Sequence, residues 1–242
     1  MKKYELTSET KVINCVKLHR IKALESFGRV EKGELGGWIE SEKNLSQDGN
    51  AWVGGNAKVC GNAWVGYNAR VDRNATISGN ATISGNARVD RNAKVRGNAI
   101  VSGNATVCGK ATIGGNATVG EDAKVYGNAT VGGNATVCGA TVCGNAAVYG
   151  NATVEDKATV SGDATVCGDA WVRGKEDYIV FKNWWSSGRY FTWTRSNNKW
   201  KVGCFYGSGE ELIVKAYKDS EKSGREYERV VKYVESILKE EA

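Results

Sequence analysis

Residues 51–68 read Ala-Trp-Val-Gly-Gly-Asn-Ala-Lys-Val-Cys-Gly-Asn-Ala-Trp-Val-Gly-Tyr-Asn, one six-residue phrase repeated three times. The phrase continues: Ala-x-Val or Ala-x-Ile recurs at Val53, Val59, Val65, Val71, Ile77 and Ile83, and without a slip to Val137. After one shortened unit, Cys138-Gly139-Ala140-Thr141-Val142, the spacing resumes and runs to Val172. In a strand, residues two apart share a side, so Ala and Val face inward and x faces out. The Gly-Asn pair that follows suits a corner, because both residues tolerate positive φ. Three strands and three corners close a triangular coil, which stacks Val53, Val71 and Val89 in one column. About seven coils at a spacing of about 4.8 Å make a prism on the order of 30 Å long. Corner Asn residues, such as Asn56, Asn74 and Asn92, are expected to lie one above another and form amide ladders, interrupted where Lys110, Asp122, Lys157, Asp163 and Asp169 replace Asn.

The 242-residue chain has 31 Gly and no Pro, which suits a backbone whose N–H groups nearly all enter ladders. Its net charge of +6, from 33 basic and 27 acidic residues, permits attraction to polyanions without demanding it. The opening Met1-Lys2-Lys3-Tyr4-Glu5-Leu6 lacks the apolar core of a signal peptide. No apolar run reaches the roughly 18 residues of a membrane span. A soluble cytoplasmic protein with reduced thiols is expected. Five of the seven cysteines, Cys60, Cys108, Cys138, Cys143 and Cys167, occupy one repeat position, where they read as small substitutes for Ser or Gly.

The Val-x-Gly-Asn-Ala-x spelling over residues 51–173 resembles the hexapeptide-repeat superfamily. That resemblance implies a left-handed parallel β-helix, a hand that ordinary crossover rules would not favour. Many relatives of that kind are trimeric acyltransferases with a catalytic His near a subunit interface. The lone His here, His19, precedes the repeat on an alternating strand, so no catalytic role is carried over to it. No catalytic constellation, metal-ligand spacing or phosphate loop stands out, and no cofactor is expected.

An open β-helix has two frayed ends, and the flanking segments are expected to cap them. Residues 1–50 contain an alternating strand, Val16–Ile21, and an irregular first coil through Gly36-Gly37-Trp38-Ile39 and Asn44-Leu45. Residues 174–242 read as a small aromatic-rich α+β unit. Its strands are expected at 178–181, 189–194 and 200–205, with a turn at Ser196–Lys199. Two helices follow, with Ser208/Glu211 and Ser223/Glu226 spaced as capping boxes. The stretch 33–40, the opening residues and the tail from Tyr190 to Tyr233 resemble proteins of bacteriophages and prophages. That likeness places the protein in the cytoplasm of a bacterial host.

Two surfaces are candidates for binding. Arg70-Val71-Asp72-Arg73 and Arg88-Val89-Asp90-Arg91 fall one coil apart and form a charged stripe, with Lys94, Arg96 and Lys124 nearby. It is either a self-compensating ladder or a docking strip for an acidic or phosphate-bearing partner. In the tail, Trp184, Trp185, Tyr190, Trp193 and Trp200 alternate with basic residues including Arg189 and Arg195. They form either a core or a sheet that stacks bases or holds a nucleotide. Trp52, Trp64 and Trp171, at outward positions, lie either beneath caps or on a binding surface. The expected function is a non-enzymatic phage-type binding protein that engages a host protein, in its most concrete form an inhibitor of a bacterial defence component. The alternatives are a self-assembling structural β-helix, acting as a homo-oligomer, and a hexapeptide-type acyltransferase.

Overall fold

The computed structural model describes residues 2–240. Each six-residue phrase forms a strand of two or three residues, and the strands stack in parallel into three sheets, the faces of a prism. Face 1 holds Trp52–Val53, Arg70–Val71, Arg88–Val89, Thr106–Val107, Lys124–Val125, Thr141–Val142 and Thr159–Val160. Face 2 includes Lys58–Val59 and Lys94–Val95, and face 3 runs from Trp64–Val65 to Trp171–Val172. Faces 1 and 3 have seven strands each; face 2 belongs to a sheet of ten, because the N-terminal segment extends it. Val53, Val71 and Val89 pair in register in one column and are fully buried. Ala lines the same interior because three converging walls leave no room for a second branched side chain.

Corners are built by Gly in the left-handed region. At Gly79, φ is 72°, and a Cβ would approach N and O of Gly97 in the next coil to 2.9 Å. Conformation and close approach therefore both demand Gly there.

Amide ladders form along the corner columns, as expected, though not at Asn56, Asn74 and Asn92 themselves. One runs Asn50, Asn68, Asn86, Asn104, Asp122, and another Asn62, Asn80, Asn98, Asn116, Asn134, Asn151, Asp169. The third is short: Asn128, Asn145, Asp163. Among the described residues no side-chain bond joins Asn56, Asn74 and Asn92. The three Asp residues end ladders instead of interrupting them. Each Asn donates Nδ2–H towards the C-terminal coil, so the last member only has to accept, which a carboxylate does well. Asp122 ends its ladder where the next coil, at Gly139-Ala140, lacks a corner Asn.

The N-terminal cap contains a strand not expected from sequence. Strand β1 (Tyr4–Ile13) pairs antiparallel with β2 (Val16–Ala23), which pairs antiparallel with β3 (Leu35–Ile39). Strand β3 then runs parallel to Lys58–Val59, as the first coil should. Side chains supply donors that an earlier coil would have given. Lys3 Nζ donates to the carbonyls of Asp48, Gly49 and Ala51 at 3.0–3.2 Å, and Asn44 Nδ2 donates to those of Gly61 and Ala63. Trp52 is fully buried under this cap, edge-on to Phe27.

At the other end, the N–H groups of the last coil have no next coil to meet. Thr165 N–H donates to Thr192 Oγ1 (2.8 Å), Trp171 N–H to Ser196 Oγ (2.7 Å) and Arg173 N–H to Asp177 Oδ2 (2.6 Å). The Tyr178 hydroxyl accepts from Ser161 N–H and donates to Thr159 O, replacing one donor and one acceptor of the missing strand.

These capping side chains lie on or beside a four-stranded antiparallel meander, Tyr178–Lys182, Tyr190–Thr194, Lys199–Val202 and Phe205–Gly207. The expected strand 200–205 is thus two strands, divided by a turn with Gly203 at positive φ. Helices α1 (Gly209–Asp219) and α2 (Glu221–Glu240) cover the meander. Ser208 and Glu211 form the expected capping box. Ser223 lies inside α2, whose first turn is capped instead by Ser220, whose Oγ accepts from Ser223 N–H.

Candidate functional site

The charged residues of the first coils converge on the corner between faces 1 and 2. Arg70 and Arg88 are register partners on face 1, and Lys124 lies further along the same face with Thr106 between. Lys94 is on face 2, because one six-residue phrase advances the chain by one side of the triangle. Arg96 follows it, with its stem across Gly114. Arg73 and Arg91 sit in the corner itself at φ 63° and 64°, where Gly55 and Gly109 stand in neighbouring coils. A side chain there costs about 1–2 kcal/mol in backbone strain. Lys110 follows at a corner position that usually holds Asn.

Compensation is partial. Arg70 Nε lies 3.3 Å from Asp72 Oδ2, and Arg91 Nε 3.7 Å from Asp90 Oδ1. Asp90 Oδ1 is buried without a hydrogen bond, so its negative charge stays inside the patch. The corner carries Arg73, Arg91 and Lys110, flanked by Arg70, Arg88 and Lys124 on face 1 and by Lys58 and Lys94 on face 2, with two carboxylates, Asp72 and Asp90, while Arg96 lies at the next corner. Arg73 and Arg91 belong to the stripe expected from sequence, and Lys110 was legible there only as a break in the Asn column; the left-handed backbone of the two arginines comes from the structure.

Cysteines lie along the same prism. Burial, aided by Asp90, pushes the Cys108 thiol up, and burial does the same for Cys60, Cys138 and Cys167. Tyr126 stands between Cys108 and Cys143 in the column that follows the face 1 strands. All seven cysteines are free.

The aromatic tail divides. Trp185, Trp193 and Trp200 are core residues, packed with Phe191, Tyr227 and Val231 under the helices, and offer no face to a base. Of the two readings of the tail, the core holds for these three residues. The indoles were drawn inward because the meander needs one apolar face against α2. Trp184, Arg189 and Tyr190 remain outside, Trp184 at 69% exposure. Arg195 is half-buried at the turn after the second meander strand, and its N–H donates to Asp177 O. Arg189 and Tyr190 line a cleft of about 250 Å³ with Asn183, Asp219, Ser223 and Tyr227. Asn183 Nδ2 donates to the Tyr227 hydroxyl at 2.8 Å, and burial holds that phenol above its ordinary pKa.

Of the other tryptophans, Trp64 is half-buried and Trp171 is exposed beneath the Arg173 guanidinium, 3.5 Å from its ring. His19 lies on β2 opposite Thr10 and Ile39, away from the basic corner. Among the described residues no three His, Cys, Asp or Glu side chains are grouped to hold a metal.

Fold and spacing together define a hexapeptide-repeat parallel β-solenoid, mainly β, with a small antiparallel sheet and two helices at its C-terminal end. More particularly, a family model, the YdcK beta solenoid repeat, matches residues 75–91, 123–139 and 146–162. No curated protein matches the chain.

Proposed function

We propose that this is a non-enzymatic binding protein in which the β-solenoid is a stiff scaffold and the basic corner docks an acidic surface of a partner protein. The observation that carries this reading is the surplus of cations over carboxylates at and beside one corner, with Arg73 and Arg91 held at backbone angles that Gly would adopt without strain. A ladder serving only to balance its own charges would not hold eight cations against two carboxylates. Stacking of coil ends into filaments, the self-assembly alternative, is opposed by side chains that occupy both ends. Acyl transfer through His19 would require chemistry on a hairpin beyond the first coil. Within this proposal, the resemblance of the flanking segments to phage proteins favours a bacterial host protein as partner and inhibition of a defence component as outcome. No helix among the described residues is long and apolar enough to cross a membrane.

The test uses a polyglutamate peptide and single-stranded DNA as two anionic probes, with wild type and an Arg73→Gly/Arg91→Gly variant. That variant removes two cations while restoring the corner spelling. Polyglutamate should bind the wild type in a salt-dependent manner and the variant on the order of tenfold more weakly. Equal binding by both proteins would remove the corner from the function. A marked preference for DNA would replace the protein partner with nucleic acid.

A further inference from the structure

Beyond the basic corner, a small aromatic niche lies on the opposite side of the first coil. Tyr67 occupies a left-handed corner position at φ 59°, flanked in its column by Gly49 and Gly85, and its ring is 64% exposed. Both features are unfavourable, backbone strain and a large apolar group in water, and nothing in the corner's own packing requires a ring. Trp64 lies across Gly66 so closely that a Cβ there would overlap the indole. The Trp64 and Tyr67 rings meet at 87° with centroids 5.8 Å apart, forming two walls of a corner. Ser46, Asp48 and Gly49 complete a cleft of about 250 Å³.

The polar lining has one sign. The Asp48 carboxylate has no hydrogen-bond or ion-pair partner among the described residues, while Asp48 N–H is already donated to Ser46 Oγ. Lys3 feels the charge of Asp48 but makes no hydrogen bond to its carboxylate: its ammonium donates to the carbonyls of Asp48, Gly49 and Ala51 and lies over Phe27. The niche therefore offers the Trp64 and Tyr67 rings, one carboxylate, and the hydroxyls of Tyr67 and Ser46, the latter already accepting from Asp48 N–H. A sugar needs an open flat platform with several donors and acceptors. An apolar cation needs ring faces set around it and a negative charge at one side. The volume falls just below that of drug-sized sites, which suits a head group and not an extended molecule.

We propose that the Trp64/Tyr67/Asp48 niche binds a small alkylammonium group, of which choline is the probe. Its neutral isostere, 3,3-dimethylbutan-1-ol, has the same shape without the charge, and glucose stands for a carbohydrate. Ligand-observed NMR titrations of the full chain give the affinities. Choline should bind at least tenfold more tightly than the neutral alcohol, and glucose should not bind. Tyr67→Gly restores the Gly of its column, so it should fold with an unchanged or higher thermal midpoint while losing roughly tenfold in choline affinity; Tyr67→Phe should retain it. Asp48→Asn should weaken choline and leave the alcohol unchanged. Equal affinity for choline and the alcohol, glucose binding, or full choline affinity in Tyr67→Gly would each overturn the proposal.

Discussion

At the scale of single residues, Lys3 shows how far an end of the solenoid goes to complete its hydrogen bonds. It is 2% exposed, and burial lowers its pKa from 10.5 to about 8, against the attraction of Asp48 and Glu25. The sign follows from proton counting. Between pH 8 and 10.5 the unfolded chain holds a proton on Lys3 that the folded chain has released, so stability rises with pH across that window. Below pH 8 both states are charged, and the folded state bears the full desolvation penalty. Urea melts at pH 7.5 and 10 should show wild type gaining on Lys3→Met by on the order of 2 kcal/mol as pH rises. A constant difference would mean that Lys3 is not desolvated. Lys3 was legible in the sequence only as a charge near the start; its three acceptors lie at residues 48, 49 and 51, and only packing brings them to it.

At the scale of the repeated element, stability comes from two periodic devices of unequal strength. The interior Ala and Val columns are fully buried, whereas the corner amides are exposed. Val107→Thr keeps the shape but places a hydroxyl among apolar side chains, and should cost about 1–3 kcal/mol in chemical denaturation. Asn98→Asp leaves a mid-ladder residue able to accept from Asn80 but unable to donate to Asn116, and should cost about 0.5–1 kcal/mol. Asp169→Asn, at a ladder end, should change stability by less than about 0.5 kcal/mol. If the ladder-end and mid-ladder substitutions cost the same, the polarity of the ladder carries no energy. The inward columns were readable because Ala-x-Val states its own geometry. How far each corner ladder would run was not: the Asn56, Asn74 and Asn92 column bonds only beyond Lys110, at Asn128, Asn145 and Asp163.

At the scale of the whole molecule, the solenoid is a finite rod because each end is closed by side chains that imitate a missing coil. At the C-terminal end, Tyr178, Thr192 and Ser196 cover backbone groups that would otherwise offer an edge for strand addition. A Tyr178→Phe/Thr192→Val/Ser196→Ala variant should bare them with little loss of apolar packing. Light scattering should then show concentration-dependent association where wild type does not change. An unaltered size would mean that the meander shields the edge by bulk alone.

The amino-acid sequence by itself determined the triangular coil, its inward columns and the need for caps, because a six-residue period acts locally and every repetition restates the same instruction. The tertiary structure alone decided that Trp52, Trp185, Trp193 and Trp200 are core and that Lys3, Asn44, Tyr178 and Thr192 are caps. It also decided that Trp64, Tyr67 and Asp48 share a niche. Those outcomes depend on partners far apart in the chain, such as Thr165 with Thr192 or Asn183 with Tyr227, whose meeting has no periodic signature. The basic corner lies between the two. Its residues could be read directly, but the turn through one side per phrase had to be followed in space to separate Lys94 from Arg88 and to place Arg73 and Arg91 on the edge between them.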